Sequence, residues 1–309
     1  STPLPPAVTP VPPTTTLTNT STSVYTGFPD VLAPPKHVEL LRVQRPPGAA
    51  HEYLPLFQDC MLVGLYGTPG GPGLGILGTA SATRTVSMTL EQVAAYQAVL
   101  TDVHVIPFFH MVTTIADPYP GKDNDYNHRV VSTTLQLWLD VAHRHRVWSV
   151  LDIQPGHSPI TVELAYVEPY VRQRDVHLAI DPEFMMSETT RIPGQLIGFM
   201  NGTSLNLVQA WLNDIAMETG QRKMLIIHQF DNRMFDGKNL IEDYPLVELV
   251  WDADGFGGPS PKVGDYVQYA GEPGFEHGGF KLFYNYDMPL MTPAQVLQMK
   301  PRPVFVVYQ

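Results

Sequence analysis

The sequence predicts a single domain of the α/β class, a (β/α)8 TIM barrel, behind a Pro/Thr-rich N-terminal extension. Three observations lead there. Eight short runs rich in Val, Ile, Leu and Phe recur from residue 60 onward, and helical patterns lie between them. The runs are continuously apolar rather than alternating, as parallel strands are when helices cover one face and a barrel interior the other. No Gly-rich phosphate fingerprint follows the first run, which favours a closed barrel over a doubly wound sheet.

The predicted strands are Met61–Tyr66, Val103–His110, Trp148–Gln154, His177–Glu183, Lys223–Gln229, Leu246–Asp252, Phe280–Tyr286 and Val304–Tyr308. After the first, Gly67 to Gly75 is glycine-rich but lacks the lysine of a P-loop, so it reads as a loop bending over the pocket mouth. Thr89-Leu90-Glu91-Gln92 reads as a capping box that opens a helix through Val93, Tyr96, Val99 and Leu100. Ser132 to His145 carries Leu135, Trp138 and Val141 at helical spacing, with basic residues at the end where the helix dipole favours them. Leu205 to Met217 repeats the pattern with Val208, Trp211, Leu212 and Ile215. Thr292-Pro293 is a helix start with proline at the first position. Residues 161–173 and 262–270 carry weaker helical patterns.

Two regions are expected: a Pro/Thr-rich tail or linker over 1–35 and the barrel domain over 36–309. Pro5-Pro6, Pro12-Pro13 and Thr14 to Thr22 hold too little apolar surface to offset their ordering entropy. Such spacers predict an extracellular or cell-surface bacterial location. The 309 residues suit one barrel plus an extension, and 44% apolar residues suffice for its core. A net charge of -11 argues against a nucleic-acid partner. No run of about twenty apolar residues is present to span a membrane. Cys60, the single cysteine, is read as a small buried residue.

The functional signal is what ends each run, because the carboxyl ends of barrel strands line the active-site mouth. Tyr66, His110, Asp152, Gln154, His157, Asp181, Glu183, His228, Gln229, Asp252, Asp254, Tyr286 and Asp287 all stand at such ends. Asp181-Pro182-Glu183 is the sharpest element. On a strand, residues i and i+2 face the same side, so both carboxylates are expected to face the barrel axis. Close carboxylates raise one another's proton affinity, leaving one protonated and one charged. A glycosidase needs that division, with Glu183 as general acid and Asp181 tuning it. Asp152 with Gln154, and Asp252 with Asp254, repeat the spacing and suit sugar hydroxyls, with no cofactor required. The remaining end residues, with Tyr66 and Tyr286 as stacking faces, would bind the carbohydrate.

The same residues permit a metal-dependent hydrolase, with His110, Asp152 and His228 holding a divalent metal. A carbohydrate-binding barrel without chemistry is the third reading.

Gly64-Leu65-Tyr66-Gly67, Leu151-Asp152-Ile153-Gln154-Pro155-Gly156, Leu178-Ala179-Ile180-Asp181-Pro182-Glu183, His228-Gln229-Phe230 and the final Val304-Phe305-Val306-Val307-Tyr308-Gln309 resemble a bacterial family of secreted or lipoprotein-type proteins. The likeness covers residues 36–309 and implies a glycoside-hydrolase-like barrel. More distantly, Asp181-x-Glu183 resembles the Asp-x-Glu of chitinase-type glycosidases, which implies an acid at Glu183 and an assisting Asp181. Two further Asp of that pattern are replaced by Val176 and Ala179. A nucleophilic Glu expected on the seventh strand of retaining enzymes is missing, with Asn285 and Asp287 there instead.

Overall fold

A computed structural model of the chain describes residues 55–186 and 190–309; the extension over 1–35 lies outside the described residues. Eight parallel strands run β1 Cys60–Gly67, β2 His104–Ala116, β3 Trp148–Ile153, β4 Val176–Ile180, β5 Lys223–Gln229, β6 Val247–Ala253, β7 His277–Leu282 and β8 Phe305–Tyr308. Each pairs with the next. β8 returns to β1 from Leu62↔Phe305 to Leu65↔Tyr308, so the sheet closes into a (β/α)8 barrel. Each expected apolar run is one of these strands. All eight residues of β1 are buried, as a strand enclosed on both faces must be. Gly64 is required there, since a Cβ would collide with the Phe108 carbonyl oxygen and lie 2.7 Å from its ring.

The helices are α1 Ala82–Gln97, α2 Ser132–Arg144, α3 Ile160–Val171, α4 Gly202–Thr219, α5 Pro259–Ala270 and the short α6 Pro293–Leu297. The expected capping box at Thr89 is a correction. Ser81 caps α1, its Oγ accepting from Arg84 N at 3.3 Å, and Thr89 lies buried one helical stretch further on, donating to the Thr85 carbonyl at 2.8 Å. An interior Thr can bond back to the preceding turn, so the Thr-x-x-Gln spacing alone marks no start. Thr292 and Gln295 do form a reciprocal capping box, at α6. No helix joins β5 to β6; two 3-10 turns, Asn232–Met234 and Lys238–Leu240, make that crossing.

Three expected strand ends move. β2 continues past His110 to Ala116, because Val112, Thr113, Thr114 and Ile115 extend the β-branched run. β4 stops at Ile180: Pro182 fixes its own φ and opens the 3-10 turn Pro182–Phe184. β7 stops at Leu282, and Phe283 to Asp287 turn away.

At the amino ends of the strands, Glu248 gathers the Leu56 N–H (3.1 Å), Arg222 (3.0 Å) and His277 Nε2 (2.8 Å). Cys60 is buried nearby, donating its thiol to the Leu56 carbonyl, and burial pushes that thiol up to about 12. Its small-residue reading stands, with no reactive thiolate near neutrality.

Candidate functional site

Inside the carboxyl half of the barrel, adjacent strands present polar side chains at matched heights. Register sets Tyr66 beside His110 and His228 beside Asp252. The centre is Asp152 on β3. Its Oδ2 accepts from the Tyr66 hydroxyl at 3.1 Å and lies 3.2 Å from His110 Nε2 and 3.3 Å from His228 Nε2. The two imidazole nitrogens lie 3.3 Å from each other. On the far side of the His228 ring, Nδ1 is 3.1 Å from Asp252 Oδ2 and 3.4 Å from Asp254 Oδ2. These are ion-pair distances without hydrogen-bond alignment, which leaves His228 Nδ1 and both Asp252 oxygens without a hydrogen-bond partner.

The side chains of His110, Asp152 and His228 are 0% exposed, so their charge states follow from one another. Burial opposes a charge on His228, but the Asp152 carboxylate and its hydrogen bond outweigh it and hold the imidazole well above its ordinary range. Asp152 responds reciprocally: burial opposes its charge, and His228 and His110 pull it well below the carboxylate range. Burial dominates at His110 and lowers it, so that ring is neutral near pH 7.

Above this network lies the strand-4 pair. Asp181 is buried and caps the 3-10 turn, its Oδ1 accepting the Glu183 N–H at 3.1 Å, while Gln154 Nε2 donates to its Oδ2 at 3.3 Å. The two carboxylates therefore do not sit on one strand as an i, i+2 pair. Asp181 points inward and Glu183 is half-buried, because Pro182 breaks the strand between them. Burial, with the charges of Asp254 and Asp152, pushes Asp181 well up. Burial and then Asp254 push Glu183 up to about 7, against the opposing pull of Lys281 and His228.

Of the remaining expected residues, Asp252 and Asp254 join the network, and Gln154 joins through Asp181 and through the Ala116 N–H it accepts at 3.3 Å. His157 does not. Its backbone N–H donates to the Asp125 carbonyl, its ring packs on Tyr126 and its Nε2 meets the Arg191 carbonyl, because the turn after β3 carries it outward. Gln229 turns away too, its Oε1 accepting from Lys238 Nζ at 2.6 Å beside a separate cavity of about 300 Å³ lined also by Asn232 and Glu272. Asp287 staples its own loop: its oxygens accept the Gly257 and Phe283 N–H groups, both at 2.9 Å, and Lys262 Nζ lies 3.3 Å away. Tyr286 stands on the rim, 64% exposed, its ring 5.6 Å from that of Phe256.

Lys281 was not anticipated. It is buried on β7, with Nζ 3.7 Å above the Tyr66 ring and 3.8 Å from Asp254 Oδ2. The available signal was a lysine between Phe280 and Leu282, where a buried ammonium demands a carboxylate or an aromatic face.

Fold and site together define a (β/α)8 barrel with a sealed carboxylate–imidazole network beneath a half-open acidic turn. No protein-family model matches the chain, and no curated protein does.

Proposed function

We propose that the protein is a hydrolase of glycosidic bonds in a polysaccharide or cell-wall glycan, with Glu183 as proton donor to the leaving oxygen. One observation carries this reading: the turn after β4 buries Asp181 as its cap and leaves Glu183 half-open above the sealed network. The cap fixes the Glu183 backbone, so its side chain starts from a defined point beside the network.

The electrostatics suit the role. A carboxyl near 7 is substantially protonated at neutral pH and becomes a competent base after giving up its proton. Asp254 is pulled below the carboxylate range by His228 and Lys281 in spite of its burial, and remains charged. It supplies the negative field that an oxocarbenium-like transition state needs. Gln154 and Asp181 set the turn. Phe256 and Tyr286, backed by the buried Phe283 5.9 Å from Phe256, form an exposed aromatic ledge suited to the CH face of a sugar ring. An extracellular location belongs to the same proposal, since such glycans lie outside the cell.

The test is a panel of polysaccharides and peptidoglycan scored for new reducing ends. Glu183→Gln should abolish release while retaining binding, and undiminished release by that variant removes Glu183 from the role.

A further inference from the structure

We propose that His110, Asp152 and His228 form a buried site for one divalent cation of the zinc class, held by two imidazole nitrogens and one carboxylate oxygen. The site lies below the acidic turn, and the hydrolase reading does not depend on it.

The geometry points to a cation first. The three facing atoms, His110 Nε2, His228 Nε2 and Asp152 Oδ2, form a nearly equilateral triangle with edges of 3.2, 3.3 and 3.3 Å. Ligands about 2.0 Å from a tetrahedral zinc are separated by about 3.3 Å. The triangle therefore already has the dimensions of one face of such a site.

Protons alone serve these atoms badly. If both imidazoles donate to Asp152 Oδ2, their N–H groups face each other across 3.3 Å. If one donates to the other, the acceptor nitrogen turns a lone pair toward the carboxylate oxygen. One edge is thus always like against like. A cation in front of the triangle receives a lone pair from all three. The carboxylate itself is lopsided: Oδ2 has three polar neighbours, including the Tyr66 hydroxyl, while Oδ1 is buried without a partner.

The surroundings agree. Six buried atoms here, in His110, Asp152, His228, Asp252 and Asp254, lack hydrogen-bond partners among the described residues, so unmet polarity concentrates around the triangle. Asp252 and Asp254 lie behind His228 Nδ1, where a ligating histidine usually meets a carboxylate. A small turn of the ring would align that bond. Two nitrogens and one oxygen, without sulfur, favour zinc, cobalt or nickel over calcium or magnesium, which prefer all-oxygen shells.

The test uses the full chain, refolded once with zinc and once with cobalt(II), then passed through gel filtration. One metal per chain should be retained, and the cobalt form should show the intense visible absorption of a four-coordinate centre. Asp152→Asn should lose the metal, and Asp252→Asn should weaken binding about 10- to 100-fold. Glu183→Gln should keep it. A chain that emerges metal-free, or cobalt with the weak spectrum of the hydrated ion, overturns the proposal. The wild-type cobalt spectrum decides even where Asp152→Asn fails to fold. Reducing-end release by a chain that retains neither zinc nor cobalt after refolding would sink this site while leaving the hydrolase reading intact; stoichiometric metal with no release from any glycan would do the reverse.

Discussion

Neutralising Asp254 and neutralising Lys281 should move the titration of Glu183 in opposite directions. Glu183 is raised from 4.5 to about 7, and burial is the largest cause, followed by Asp254. At about 1.4 kcal/mol per pH unit the whole displacement is on the order of 3 kcal/mol, reduced in practice because the half-buried group is partly screened by solvent. Burial exceeds the Asp254 contribution, and Lys281 and His228 offset part of the two together, so Asp254→Asn should lower the midpoint, by about 1 unit. Lys281 holds Glu183 down, so Lys281→Met should raise it. The assay is the carbon-13 shift of the side-chain carboxyls, followed against pH in protein refolded with chelator, with Glu183→Gln identifying the signal. Midpoints moving the same way in both variants, or a wild-type midpoint near 4.5, would refute the electrostatic argument for Glu183.

Other perturbations test the frame. His277, 24% exposed, is raised to about 9: burial opposes its charge, and the Glu248 and Glu276 carboxylates overcome it. A raised imidazole stabilises the fold fully below about 6.5, and that contribution fades as pH climbs through about 9. Urea midpoints should therefore fall across this window by the equivalent of about 2–3 kcal/mol, and His277→Gln should flatten the fall; equal slopes would contradict the assignment. Gly64→Ala drives a Cβ into the Phe108 backbone and should cost about 3 kcal/mol or more in chemical denaturation. Gly264→Ala, in α5 with open space around it, should instead gain about 0.5–1 kcal/mol. A mild Gly64→Ala would mean that β1 and β2 do not approach as closely as described.

The barrel was legible because each strand is enclosed on both faces and so reads as an unbroken apolar run. Its ends were less legible. The polar His110 reads as a strand end, although Val112 to Ile115 carry the β-branched run onward and the Thr113 and Thr114 hydroxyls are met by the Asp152 carbonyl and the Glu163 carboxylate. His110 thereby passes from the mouth to the interior, which makes it a network member rather than a substrate contact. The i, i+2 rule held for Asp252 and Asp254, which both reach His228, because β6 stays extended through Ala253. It has no strand to act on at Asp181 and Glu183, since β4 stops at Ile180 and Pro182 imposes a turn. Lys281 escaped notice because its neighbours read as core. Of its partners, Asp254 follows the adjoining β6, while Tyr66 lies on β1, which only closure of the barrel brings near β7.

The role of Glu183 is tested most directly by leaving-group dependence. A lost proton donor matters little when the leaving group is already a good one. Glu183→Gln should therefore cleave an activated aryl glycoside at a rate near that of the parent chain, while its rate on an unactivated glycan falls about 10²- to 10⁴-fold. An equal fall on both substrates, or no fall on either, would contradict the account.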